Sequence, residues 1–457
     1  MTSIFRLTSA ASALALCLAA PLAAQEAFGP LDTAFDARVQ FSGVDRGPVT
    51  AGSTVTVSGE RFEAGQTVIL RQNGVPLNAV PFEADDEGRI SAEVNIPEDV
   101  EPAVYPVVIE VANPAYADVT KLKVSPVLEE TGNLEITTTP MAPGLYQVAH
   151  SADGNVLYVT SAVGRPPVKE SALLKVDAAT GEILAQATPP AAPAREDGSD
   201  GGVFAVYGVG VDDATGQVWV TNTRQNTIAV YDGGDLSLVK QFDPGQLGHP
   251  RDVVVHDGKA YVSATFLPEV HVFDTATLEP AGIIEIPSHA GRGSEFGTAS
   301  LSLDPEAAEI VVTSLTSNEV ATIDLASGEV ASVHQVPGSD SSIGVSHDPE
   351  TDRIFVAGQG SDTVTILDGQ SGDVVAQVRV GANPLNVAFD PVSGLAWVAV
   401  RASGTVVALD ADGEIVANAA VGPLPNHLIA DGKGGAWMVN KGNGDDGNQL
   451  IHISLSE

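Results

Sequence analysis

Residues 343–386 read IGVSHDPETDRIFVAGQGSDTVTILDGQSGDVVAQVRVGANPLN: four short, β-branched apolar runs separated by clusters of Asp, Gly, Pro, Ser and Asn. Each run has the composition of a strand and each cluster that of a turn. The same order begins again at once in VAFDPVSGLAWVAVRASGTVVALDADGEIVANAAVGPLP, residues 387–425. A four-stranded meander of this size cannot bury both of its faces alone. The copies must therefore pack on one another, and this repetition governs what the chain can fold into.

Seven copies are found when each is anchored on the apolar residue that opens its first strand: Val148, Val209, Val253, Leu301, Val345, Val387 and Leu428. The spacing settles near 40 residues, as expected for propeller blades, apart from a longer first gap that holds insertions at 164–171 and 189–202. A solenoid also repeats, but four strands per unit fit radial blades better. The last copy has three strands, LIADG, GAWMVN and QLIHISL, before the sequence ends. The unpartnered run NLEITTT at 133–139 is predicted to supply the fourth, because an open sheet edge is a liability. The expected fold is all-β: an N-terminal immunoglobulin-like β-sandwich, then a seven-bladed β-propeller over 133–457 closed by the strand 133–139.

The second strands of the copies read YVTS, WVTN, YVSA, VVTS, FVAG, WVAV and WMVN, and GANP follows at 381–384. These resemble the signature of the YVTN-repeat β-propellers over about 133–457. The resemblance implies the propeller fold. It leaves function open, since the family includes periplasmic binding proteins of the YncE type, surface-layer proteins and propeller portions of redox enzymes, and a fold does not choose among them.

Residues 1–24 carry Arg6, an apolar stretch and small residues at the end, the pattern of a secretory signal peptide with cleavage expected after Ala24. Cys17, the one cysteine, lies within it, and Leu16 in front of it argues against lipid attachment. The mature chain would then have no disulfide, thiolate or cysteine–metal chemistry. Signal and family together suggest the periplasm. Residues 25–36 read as a linker, and 37–127 as the sandwich, six or seven alternating strands without a Cys–Trp–Cys core. Within it, STVTVSGERFEAGQTV resembles the G-x-x-F-x-x-G turn of bacterial IPT/TIG-type domains. No later stretch is apolar for the ~18 residues a membrane span requires. The formal charge of −37 favours a soluble monomer and counts against nucleic-acid partners, whose phosphates would be repelled.

In a four-stranded meander, the first-to-second and third-to-fourth turns share one face. Here these turns are acidic, in forms such as DPETDR and DGQSGD, and Asp is itself a turn former. The other face holds Arg165, Lys169, Arg195, Arg224, Arg251, Arg292, Arg401 and Lys441. Clustered guanidiniums suit carboxylates and phosphates. The candidate ligand-binding residues sit just before the first-strand anchors or close the second strands: Tyr146, Gln147, Tyr207, Asn222, Arg224, Arg251, Asp252, Ser300, Asn386, Asn426, His427 and Asn440. The partner expected for them is an anionic small molecule or an envelope protein; a water-lined structural pore is the plainer alternative.

No phosphate-cradling loop or nucleophile elbow is present, and the nine histidines lack short ligand spacing. His150 and His347 read as strand residues, and NKGNGDDGNQ at 440–449 as a turn rather than a calcium loop. No cofactor or metal is expected for the binding reading. The competing reading is a metal-dependent lactonase or lyase, with Asn222, Asp252, Asn386, Asn426, His427 and Asn440 as the ligands. Asp252 is the one carboxylate among the first-strand positions, which is poor for a hard cation and favours binding.

Overall fold

The computed structural model describes residues 35–112, 115–151, 155–442 and 444–456. The expected signal peptide, with Cys17, and nearly all of the expected linker lie outside them. The described residues are all-β apart from two single-turn 3-10 helices. They form two compact units: one contains Val57–Ala92 and Pro106–Thr120, the other Phe41–Thr56, Glu93–Tyr105 and Lys121–Glu457.

The six alternating runs expected before residue 127 all form strands. Arg38–Ser42, Thr54–Glu60 and Ile90–Asn95 make one sheet, and Thr67–Gln72, Ala103–Ala112 and Tyr116–Val124 make another with the short strand Val75–Pro76. In Thr54–Glu60 every second residue is buried, as TVTVSGE dictates for a strand with one covered face. The Asp-Asp-Glu-Gly turn needs its glycine: Gly88 has φ +70, and a Cβ there would meet the Phe62 carbonyl oxygen at 2.0 Å.

The following segment forms seven four-stranded antiparallel sheets. The first strands are Leu145–Ser151, Val209–Asp212, Pro250–His256, Thr298–Asp304, Ser342–Asp348, Pro384–Asp390 and Pro425–Ala430. All seven anchors fall inside them. Each first strand packs against the first strand of the next sheet, and the seventh packs against the first. Second strands are the most enclosed, with all six residues of Leu395–Val400 buried, while fourth strands such as Val374–Arg379 show exposed residues. The cores lie between sheets: Trp397, Val406 and Ala417 of the sixth pack with Leu428, Met438 and Ile453 of the seventh.

Leu134–Pro140 pairs with the last strand, Gln449–Leu455, in register from Leu134–Leu455 to Pro140–Gln449. The chain is led there by Asn418, whose backbone exchanges hydrogen bonds with Thr131 at 2.9 and 3.0 Å and whose amide donates to the Glu129 carbonyl at 3.0 Å. The upstream run thus gives the seventh sheet its fourth strand, as its lack of any nearer partner predicts.

One irregularity recurs at a fixed place. The register slips between Leu145 and Val148, Pro250 and Val253, Thr298 and Leu301, Ser342 and Gly344, Pro384 and Asn386, and Pro425 and His427. A bulge re-aims side chains and leaves a backbone group unpaired. Tyr146, Gln147, Arg251, Asp252, Ser300, Asn386, Asn426 and His427 lie at these bulges, whereas Tyr207, Asn222, Arg224 and Asn440 do not.

Candidate functional site

Four of the twelve candidates tie successive first strands together. Gln147 accepts from Val209 N at 3.1 Å and donates to Asp252 Oδ1 at 2.6 Å. The other Asp252 oxygen accepts from Leu301 N at 3.3 Å. Asn386 Oδ1 accepts from Leu428 N at 2.8 Å, and His427 Nδ1 from Val148 N at 3.4 Å. In every case the amide so capped belongs to the anchor of another first strand. This polar belt satisfies groups that would otherwise be buried without partners.

The second-strand motif has a related role. Thr160 Oγ1 accepts from Gln147 N at 3.0 Å and bonds the Tyr207 carbonyl. Thr221 Oγ1 accepts from Gly208 N at 2.7 Å, and Ser263 Oγ from Asp252 N at 3.0 Å. In these three copies the hydroxyl at the third motif position serves an amide beside the first strand, whereas Thr313, at the same place in the fourth, is buried without a partner. Asn222 and Asn440, at the fourth position, are fully buried. Asn222 donates to the Phe204 and Ala205 carbonyls at 3.0 and 3.3 Å. Asn440 donates to the Val421 and Asp446 carbonyls at 3.0 and 2.8 Å and accepts from Gln449 N at 2.8 Å. Both clamp loops, because an enclosed amide is held by the nearest backbone groups. Ser300 is also buried, and its hydroxyl has no partner.

Tyr146, Tyr207, Arg224, Arg251 and Asn426 come together, and two residues outside the twelve join them. Arg401 donates to Asn426 Oδ1, and Asn426 Nδ2 donates to the Tyr146 carbonyl at 2.6 Å. Lys441 Nζ lies 4.4 Å from the centre of the Tyr146 ring, and the Tyr207 ring meets Tyr146 edge-on at 4.8 Å. Arg224 lies against the Tyr207 hydroxyl, whose pKa is raised chiefly by burial. Burial lowers the Lys441 ammonium to about 8, with the Arg401 and Arg224 charges adding to it. Burial also lowers the Arg401 pKa, and the Arg251 charge acts in the same direction. Arg251 is 3.8 Å from Asp252, and its Nε is buried without a hydrogen bond. Among the described residues, Arg224, Arg401 and Lys441 have no carboxylate partner.

The sequence placed Arg401 and Lys441 on this face without assigning them to the site. The available signal was position: each follows directly on the end of a second strand, and Arg224 lies two residues beyond one.

On the acidic face the aspartates act as turn formers. Asp177 Oδ1 accepts from Ala179 N and Thr180 N at 2.9 and 2.8 Å, and Asp274 and Asp324 do the same in later copies. These backbone donors hold the three carboxyls below the usual carboxylate range. Between this face and the belt lies a well of about 750 Å³, whose lining runs from Asn155, Pro305 and Lys433 to Gln147, Asp252 and His427. Enclosure pushes His427 down to about 4, against the raising effect of Asp252, with Arg251 lowering it further. His150 and His347 lie in first strands as expected. Around 440–449, Asn448 and Gln449 donate to the Gly442 and Asp445 carbonyls at 2.6 and 2.9 Å. Among the described residues no three His, Cys, Asp or Glu side chains converge as metal ligands, and no helix is long and apolar enough to cross a membrane.

No protein-family profile and no curated protein matches the sequence. Solved structures do. Hydrazine synthase of Kuenenia stuttgartiensis aligns with a TM-score of 0.54 at 18% identity, over 69% of this chain and 96% of that one. A catalytically inactive virginiamycin B lyase from Staphylococcus aureus with quinupristin gives 0.54 at 14%, over 71% and 100%. The RRP9 WD40 repeats give 0.55 at 12%, over 72% and 99%. At these identities the likeness is one of fold: the chain contains a propeller-type domain, and such domains occur both in lyases and in WD40 proteins.

Proposed function

We propose that the chain is an exported, periplasmic, non-enzymatic binding protein, monomeric, in which one mouth of a seven-bladed propeller takes an anionic small ligand. The seven sheets are read as the blades of one ring of YVTN type, closed by the pairing of 133–139 with the last strand, and the N-terminal sheets as an immunoglobulin-like spacer. The observation that carries the function is the group Arg224, Arg251, Arg401 and Lys441 on one face, with Asp252 as the one carboxylate within 4 Å of it among the described residues. Cations held together without counter-charges cost stability, and sites that keep such groups tend to be functional.

A lyase is the second reading, favoured by the virginiamycin and streptogramin B lyases among the similar structures. It would use His427 Nε2, since Nδ1 accepts from Val148 N, and would share the Asp252 and Asn386 oxygens with the amides they cap.

Native mass spectrometry with metal analysis on gently purified protein separates the two. A bound small anion lost in Arg251→Ala supports the binding reading. A stoichiometric divalent metal lost in His427→Ala or Asp252→Asn overturns it in favour of the lyase.

A further inference from the structure

The basic mouth has an apolar rim on one side. Phe266 is 54% exposed and Leu267 38% exposed, although both are large apolar residues. Phe266 also has φ 72, a left-handed conformation that a bulky side chain adopts only when its surroundings impose it. The surroundings do so here. Leu267 N donates to the Ala264 carbonyl at 2.9 Å, Thr298 N to the Leu267 carbonyl at 3.0 Å and Ile286 N to the Pro268 carbonyl at 2.8 Å. Thr298 Oγ1 adds a bond to the Ala264 carbonyl at 2.8 Å. The turn is thus locked with its aromatic ring facing outward.

This rim is continuous with the cations. The His249 ring lies 5.6 Å from that of Phe266 and has its own left-handed φ of 50. His249 is close enough to Arg224 and Arg251 for both to lower its pKa, after burial, so it stands neutral near pH 7. The side of the mouth next to the guanidiniums therefore offers uncharged rings. Asn or Gly would fit the backbone at 266 without strain, which leaves the exposed ring itself as the feature to be accounted for.

Resting on the reading of the mouth as an anion site, we infer that its ligand is an amphiphilic small molecule: an anionic group seated among Arg224, Arg251, Arg401 and Lys441, and an aryl group laid on Phe266 and Leu267. Guanidiniums both pair with carboxylate or phosphate oxygens and stack on rings, which suits such a ligand. An aromatic contact with its buried area is worth enough to be read in affinity.

The test is isothermal titration of the full chain with methyl phosphate and phenyl phosphate, which carry the same charged group. Phenyl phosphate is expected to bind about tenfold more tightly. Phe266→Asn should abolish that preference and leave methyl phosphate affinity unchanged, while Arg251→Gln weakens both ligands. Because Asn suits the left-handed turn, this variant should melt no lower than the parent, and Phe266→Gly provides a second variant with the same backbone tolerance. Equal affinity for the two esters, or a loss in Phe266→Asn shared equally by both, overturns the apolar seat and leaves the anion site standing. If neither ester binds the parent chain, the anion site itself fails, and the inference falls with it.

Discussion

Asn386 and Lys441 mark two kinds of polar residue in the propeller. Asn386 caps the Leu428 amide, so Asn386→Ala leaves a buried N–H without a partner and should cost about 1–3 kcal/mol in denaturant unfolding. Lys441 caps nothing among the described residues and is held beside other cations. With its pKa lowered to about 8, it is charged at pH 7 and neutral by pH 9. Affinity for sulfate, whose charge is constant over that range, should therefore fall as pH rises through 8, and Lys441→Met should remove this step. His427 works in the opposite pH direction on stability. Its folded pKa near 4 lies below the ordinary 6.5, so the unfolded chain binds more protons between those values. Stability is then full above about pH 6.5 and lost toward pH 4, by an amount on the order of 3 kcal/mol. His427→Gln should flatten that part of the acid-unfolding curve. None of these distinctions was legible in the sequence, where Asn386, His427 and Arg251 all appear as polar residues ahead of an anchor. What separates them is whether a neighbouring strand presents an amide, and that depends on packing between copies distant in sequence.

At the scale of elements the sequence was far more informative, because strand identity and turn chemistry are local. Each anchor from Val148 to Leu428 lies in a first strand, and NLEITTT was recognisable as the partner of the last strand from the edge it would otherwise leave. The recurring bulge was not visible, since it depends on how far first and second strands slip past each other. In the first and third sheets it accounts for Gln147 and Asp252 ahead of their anchors and for the Thr160 and Ser263 hydroxyls that accept from their amides. Thr221→Val keeps the shape but leaves Gly208 N without its acceptor at 2.7 Å, so a loss of about 1–3 kcal/mol is expected in the same unfolding assay. Deleting 133–140 uncovers the edge of Gln449–Leu455 and should both lower the melting temperature and promote association, read by calorimetry and light scattering. Unchanged melting and a monodisperse variant would refute the role given to that strand.

For the whole molecule, the formal charge of −37 and a cluster of four cations have to be understood together. Most of the acidic turns are accounted for by backbone hydrogen bonding, so the negative surface follows from turn chemistry and needs no ligand. The cationic mouth is accounted for only in part, by the Arg401 bond to Asn426 and the place of Lys441 over the Tyr146 ring, and its like charges repel one another. The most direct test is calorimetric melting of the parent and Lys441→Met at pH 7, with and without added phosphate. Removing this one charge breaks no hydrogen bond among the described residues, gives up the ring contact with Tyr146 and keeps most of the apolar stem. The account predicts that Lys441→Met melts higher than the parent in anion-free buffer and gains less from phosphate, because a ligand stabilises only the state that binds it. A variant that melts lower, with both proteins responding to phosphate alike, would contradict it.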